Sequence, residues 1–143
     1  MKKIQLTCAH AIVKYLISQK ILVDGKKLPL FAGAFGIFGH GNVACLGQAL
    51  EESQKDLPTW RGHHEQNMAL TGIAYARAKR RKQIFVATSS VGPGSTNLLT
   101  AAAVAMRNRL PILFLPGDTY ANRMPDPVLQ QVEHFNNPNI TQN

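Results

Sequence analysis

Three short apolar runs decide most of what this chain can become. Leu30 to Phe38, Gln83 to Thr88 (QIFVAT) and Pro111 to Pro116 (PILFLP) are apolar with little alternation. A strand with one wet face alternates with period two, whereas a strand covered on both faces need not. Two segments between these runs have helical character, Val43 to Ser53 and an Ala-rich stretch from His64 to Lys79. A third, Ser95 to Arg107, is built of small residues. Strand and helix thus take turns along the chain. That order predicts an α/β fold: a parallel sheet of four to six strands with helices on both faces, in a Rossmann-like three-layer arrangement.

The flanking segments complete the outline. Ile12, Val13, Leu16 and Ile17 are spaced for a helix over 7–19, with Thr7 as its N-cap. Asp24-Gly25 marks a turn within 21–29, and Pro58 to Arg61 reads as a short strand. A short helix is expected near Val128–Phe135, followed by a polar tail without structure. At 143 residues, 45% apolar and 17% charged, the chain suits one globular domain over 1–143. The same figures exclude disorder, collagen and a disulfide-rich toxin. No apolar run reaches the ~18–20 residues of a membrane span. Gln5, His10, Lys14 and Gln19 interrupt any signal-like stretch, so a cytoplasmic location is expected, with no membrane partner. Cys8 and Cys45 have no metal or redox spacing and fit a reduced compartment.

The net charge of +8 invites an anionic partner, and its densest part is Arg77-Ala-Lys-Arg-Arg-Lys82. No aromatic side chains interleave these cations as single-strand binding favours. The cluster therefore reads as a helix end, where cations complement the dipole, and no nucleic acid is expected.

In open parallel sheets, ligands bind outside the carboxyl ends of the strands. Here those ends carry Gly39–Asn42, Arg61–Glu65, Ser89–Gly94 and Gly117–Thr119, so the chemically suggestive residues converge on one edge. Gly39-His40-Gly41-Asn42-Val43-Ala44 fits the dinucleotide pattern G-x-G-x-x-A. The acidic residue that should close the next strand is missing from Pro58-Thr-Trp-Arg-Gly62, and a tight turn needs the same glycines. His64-Glu65 opens a zinc-type H-E-x-x-H, but position 68 is Met, and no metal site is expected. Glu65 stands at the mouth of a helix whose first turn should be buried; a carboxyl group there is either paired or working. Thr88-Ser-Ser-Val-Gly-Pro-Gly-Ser-Thr-Asn97 runs from a strand through a Gly-Pro-Gly loop into a helix. Its backbone N–H groups would suit an anion or a ring nitrogen.

Taken together, FGIFGHGNV, RGHHEQNMALTGIAYA and VATSSVGPGSTNLLTAAAVAMRNRLPILFLPGD resemble the pyrimidine-binding domain of thiamine-diphosphate enzymes of the acetolactate synthase type. The resemblance covers about residues 30–120 through an ordered series of spaced motifs. The loop TSSVGPG, two residues longer than usual, and the continuation PGDTYANRMPDPVLQQVEHF are most similar to a branch that opens a cyclic 1,2-dione in inositol breakdown. That branch hydrolyses a carbon–carbon bond.

The resemblance implies thiamine diphosphate as cofactor and Glu65 as the catalytic residue. In the family a glutamate at this place bonds the aminopyrimidine ring nitrogen and assists deprotonation of the thiazolium carbon, which then attacks the substrate carbonyl. Gly39, His40, Glu65, Thr88, Pro93 and Asn97 are the implied cofactor-binding residues. His40 stands where the family has a Pro-Gly-Gly loop. Complete family members add a middle domain and a diphosphate-binding domain, which brings magnesium from a second subunit of a homodimer or homotetramer. Gly117-Asp118-Thr119 and Asn136-Asn137 only echo that magnesium motif, because the third residue is not Gly and the interval is too short. The chain is thus expected to be an N-terminal piece, inactive alone and inclined to self-associate through helices 64–79 and 95–107. The alternatives are a 2-oxoacid carboligase or decarboxylase domain of the acetolactate synthase type, and a dinucleotide- or nucleic-acid-binding module.

Overall fold

The computed structural model describes residues 3–118. The expected helix at 128–135, the polar tail and Asn136-Asn137 lie outside the described residues. Helix α1 (Cys8–Ser18) starts where expected, with Thr7 extended and its hydroxyl accepting the His10 backbone N–H. Strands β1 (Lys20–Val23) and β2 (Lys26–Pro29) form an antiparallel hairpin around Asp24-Gly25. Both turn residues have positive φ, 49° and 78°, as a two-residue hairpin turn requires. Only the turn was legible, because KILV and KKLP do not alternate between apolar and polar residues.

Four strands make the main sheet: β3 (Phe31–Gly36), β4 (Thr59–Trp60), β5 (Ile84–Ser89) and β6 (Leu113–Pro116). Their order is β4-β3-β5-β6, and every neighbouring pair is parallel. The central strand β5 is buried at all six positions. Its Ile84 and Val86 join Val13, Leu16, Leu46, Ala49 and Leu50 on one face. Ala87 joins Ala69, Ile73, Leu98, Ala101 and Ala105 on the other. The predicted three layers are therefore present, with a separate core on each side of one sheet. Each fully buried aliphatic side chain contributes about 1.5–3 kcal/mol.

The helices depart from expectation at their ends. The segment expected to be a loop at Gly39–Asn42 is the first turn of a helix. It runs as α2 (His40–Asn42), a π-helical turn (Val43–Gly47) and α3 (Gln48–Glu52). Helix α4 (Glu65–Ala78) agrees with its expected span. The helix expected from Ser95 starts earlier and breaks, giving α5 (Pro93–Thr96) and α6 (Leu99–Asn108).

Candidate active site at the carboxyl edge of the sheet

Because the four strands are parallel, their carboxyl ends lie along one edge, and the loops carrying Gly39, Glu65, Ser90–Gly94 and Gly117 all leave from it. Helix α4 brings Glu65 there. His64 is extended at the N-cap and its Nδ1 accepts the Gln66 N–H at 3.2 Å, which makes Glu65 the first helical residue. His64 thus has a capping role, and Met68 stands four residues further on. Met68 is buried, and its Sδ accepts the Gly62 N–H. No cluster of metal-binding side chains occurs among the described residues.

Glu65 is only 8% exposed. Its Oε2 accepts a hydrogen bond from Asn97 Nδ2 at 3.0 Å, while no hydrogen bond from the described residues reaches Oε1. Neither ion pair among the described residues involves it. The helix N-terminus favours a negative group at this position. Burying a carboxyl oxygen without a partner is costly, so such groups mark places where a ligand completes the bonding.

The loop after β5 supplies the opposite wall. Gly92 adopts φ 69°, ψ −122°, a backbone open only to glycine, and turns the chain into α5. Gly94 then passes so close that a Cβ there would collide with Ser90 Oγ and stand 3.0 Å from Glu65 Oε1. Ser95 pins the loop: its hydroxyl lies 2.7 Å from the Ser90 carbonyl and 2.9 Å from that of Gly117, with one proton to share between them. The Gly117 N–H donates to the Ser89 carbonyl at 2.9 Å. The loops after β5 and β6 are thus one unit.

The six residues proposed from the sequence fare differently. Glu65 and Asn97 are in direct contact. Gly39 is buried at the N-cap of α2, His40 is exposed, and Pro93 is exposed at the start of α5. Thr88 stands near the carboxyl end of β5. It is fully buried and its Oγ1 donates to the Leu115 carbonyl at 2.8 Å, so it ties β5 to β6 beneath the edge. Sequence reasoning passed over Ser90 and the clamp made by Ser95; the run of hydroxyls in TSSVGPGST was their only signal.

The basic cluster is used elsewhere. Arg81 Nε donates to the Arg109 carbonyl at 2.8 Å, at the C-terminus of α6, and Lys82 pairs with Asp24 at 3.7 Å. No helix among the described residues is long and apolar enough to cross a membrane.

Comparison with known proteins agrees with this geometry. The family model described as thiamine pyrophosphate enzyme, N-terminal TPP binding domain, matches residues 31–137. The chain is 54% identical over 142 residues to 3D-(3,5/4)-trihydroxycyclohexane-1,2-dione hydrolase of Listeria innocua serovar 6a, covering 99% of this chain and 22% of that protein. The hydrolase of the same name from Geobacillus thermodenitrificans is 53% identical over 143 residues, and that from Clostridium tetani 52%, each match covering 100% of this chain. The chain spans about 22% of the length of these relatives. A carboxyl group buried at the sheet edge, with one oxygen unpartnered among the described residues, is carried by a sequence that matches over this length, and the conclusion is that the chain belongs to the thiamine pyrophosphate enzymes and carries their N-terminal TPP binding domain.

Proposed function

We propose that this chain is the pyrimidine-binding part of a thiamine-diphosphate-dependent hydrolase that cleaves a carbon–carbon bond of trihydroxycyclohexane-1,2-dione in myo-inositol breakdown. The observation that carries this reading is the buried Oε1 of Glu65 beside Gly94, unpartnered among the described residues. The substrate class rests on relatives known as trihydroxycyclohexane-1,2-dione hydrolases, which match 99% and 100% of this chain.

The residues present fit the cofactor. An aminopyrimidine ring offers a nitrogen that can share a proton with a carboxyl oxygen, and Glu65 has one oxygen to give. When bound, thiamine diphosphate supplies a carbon nucleophile and an electron sink for carbon–carbon cleavage. Asn97 holds the other oxygen and so fixes the carboxyl plane. Gly94 lets its loop pack directly against Oε1 and Ser90 Oγ, where a Cβ would collide. Burial of Glu65 excludes bulk water, so that a proton held at Oε1 is exchanged with the ligand rather than with solvent. Gly39, His40 and Pro93 are proposed as further lining of the same edge, with Thr88 bracing it from within. Magnesium and the diphosphate contacts are assigned to the diphosphate-binding domain of a second subunit, in a cytoplasmic homodimer or homotetramer.

The test is Glu65→Gln in the full-length enzyme. Gln keeps the shape and a hydrogen bond but cannot share a proton in the same way. The fold and most of the cofactor affinity should persist while turnover falls by about 10²–10⁴. Exchange of the thiazolium C–H of bound cofactor, followed by NMR, should slow in parallel, because it reports a step before substrate enters. Unchanged exchange would reduce Glu65 to a charge at a helix end.

A further inference from the structure

We propose that Ser90 is a second ligand-facing residue, whose hydroxyl forms with Glu65 Oε1 a paired donor and acceptor for the polar edge of the aminopyrimidine ring. The proposal rests on the functional reading above.

Ser90 is 4% exposed, yet no hydrogen bond from the described residues reaches its Oγ. The neighbouring hydroxyls make it stand out. Thr88 Oγ1 donates to the Leu115 carbonyl, Thr96 Oγ1 donates to the Pro93 carbonyl, and the single Ser95 O–H is shared between the carbonyls of Ser90 and Gly117. Buried polar groups are nearly always partnered, and the exceptions cluster where something else binds.

Position adds a second argument. Ser90 Oγ and Glu65 Oε1 are the two nearest atoms to the place where a Gly94 side chain would begin. Two buried polar atoms, unpartnered among the described residues, therefore pack against the same glycine, which has no room for a Cβ. The backbone cannot swing Ser90 into solvent, since the Ser90 carbonyl is held by Ser95 Oγ at 2.7 Å.

Chemistry narrows what can bond to both atoms. Ionised Glu65 only accepts, whereas a serine hydroxyl both donates and accepts. A phosphate or carboxylate would be repelled by Glu65. A heteroaromatic edge with one N–H and a second polar atom satisfies both groups at once.

The experiment uses the full-length protein, with thiamine diphosphate and magnesium as probe. Wild type and Ser90→Ala are compared by calorimetric titration and by thermal melting without ligand. Removing a hydroxyl that serves only the ligand should leave the ligand-free melting temperature equal or slightly raised, and should weaken the Kd about tenfold. Ser90→Cys, a poorer donor of similar shape, should fall between the two and serves if the Ala variant folds badly. Unchanged affinity in a wild-type protein that binds overturns this assignment alone. A lower melting temperature with unchanged affinity overturns it too, by giving the hydroxyl to the fold. A wild-type protein that does not bind the probe overturns the functional reading and Ser90 with it.

Discussion

Glu65 and Asn97 meet although 32 residues separate them in the chain, and what joins them is the parallel sheet rather than any local motif. Glu65 was legible because a carboxyl group at the start of a buried helix is rare enough to demand a reason. Asn97 entered the reading only through resemblance, since nothing in its neighbours reveals a distant partner. Thr88 has a partner that its sequence does not reveal. IFVATS is buried throughout, so its pattern does not say which way a strand-end hydroxyl faces, and the structure turns it toward Leu115. Gly94 gives a sharp prediction at this scale. Gly94→Ala should force Ser90 and Glu65 apart, costing about 1–3 kcal/mol as overpacking of a tight site does. Thermal melting should show the loss, and thiamine diphosphate affinity should fall more than tenfold.

At the scale of elements, the interiors of helices and strands were legible and their ends were not. Gly-His-Gly-Asn reads as a turn because glycine disfavours helix by about 1 kcal/mol per residue, yet α2 begins inside it with Gly39 as N-cap. The π-helical turn at Val43–Gly47 leaves no compositional trace at all. The basic cluster was rightly read as helix-end chemistry, but Arg81 reaches the C-terminus of α6 rather than serving only its own helix. Arg81→Ala should therefore destabilise the protein by about 0.5–1 kcal/mol, visible in urea denaturation and reduced by salt. Helices α1 and α3 are linked by His10 Nε2 and Glu52 Oε2 at 3.0 Å. Hydrogen bonds from Gln48 and then His10 hold the Glu52 carboxyl below its ordinary range. A lowered folded-state pKa means stability that is present above the unfolded value and lost as pH falls through the folded one. The melting-temperature advantage over Glu52→Gln should thus be full near neutrality and shrink on acidification through the carboxylate range; an advantage independent of pH would refute the link.

For the whole molecule, the layer arrangement followed from three runs without alternation, and the sheet has the expected parallel sense throughout. What these runs did not contain was the order β4-β3-β5-β6, which depends on crossovers rather than on any strand's own sequence. Edge strand β4 leaves Trp60 48% exposed, and α6 shows Leu99 at 54% and Met106 at 81%. Leu99 and Met106 are seven residues apart and share a helix face. Exposed apolar faces of this kind favour association, against the net charge of +8. Sedimentation velocity on residues 1–143 should show self-association rising with concentration, weakened in Met106→Lys. A monomer at every concentration would count against an association face on α6.

The hairpin of β1 and β2 sits before the amino-terminal end of β3, and Asp24 at its tip reaches Lys82, which precedes the amino-terminal end of β5. It therefore lies at the opposite edge of the sheet from Glu65 and forms a two-stranded sheet of its own. Extra residues at such an exposed tip cost little, because loop-closure entropy grows only slowly with length. The Asp24-Gly25 turn is accordingly a natural splice point, where an epitope or a fluorophore could be grafted to watch the molecule assemble while its chemical edge stays untouched.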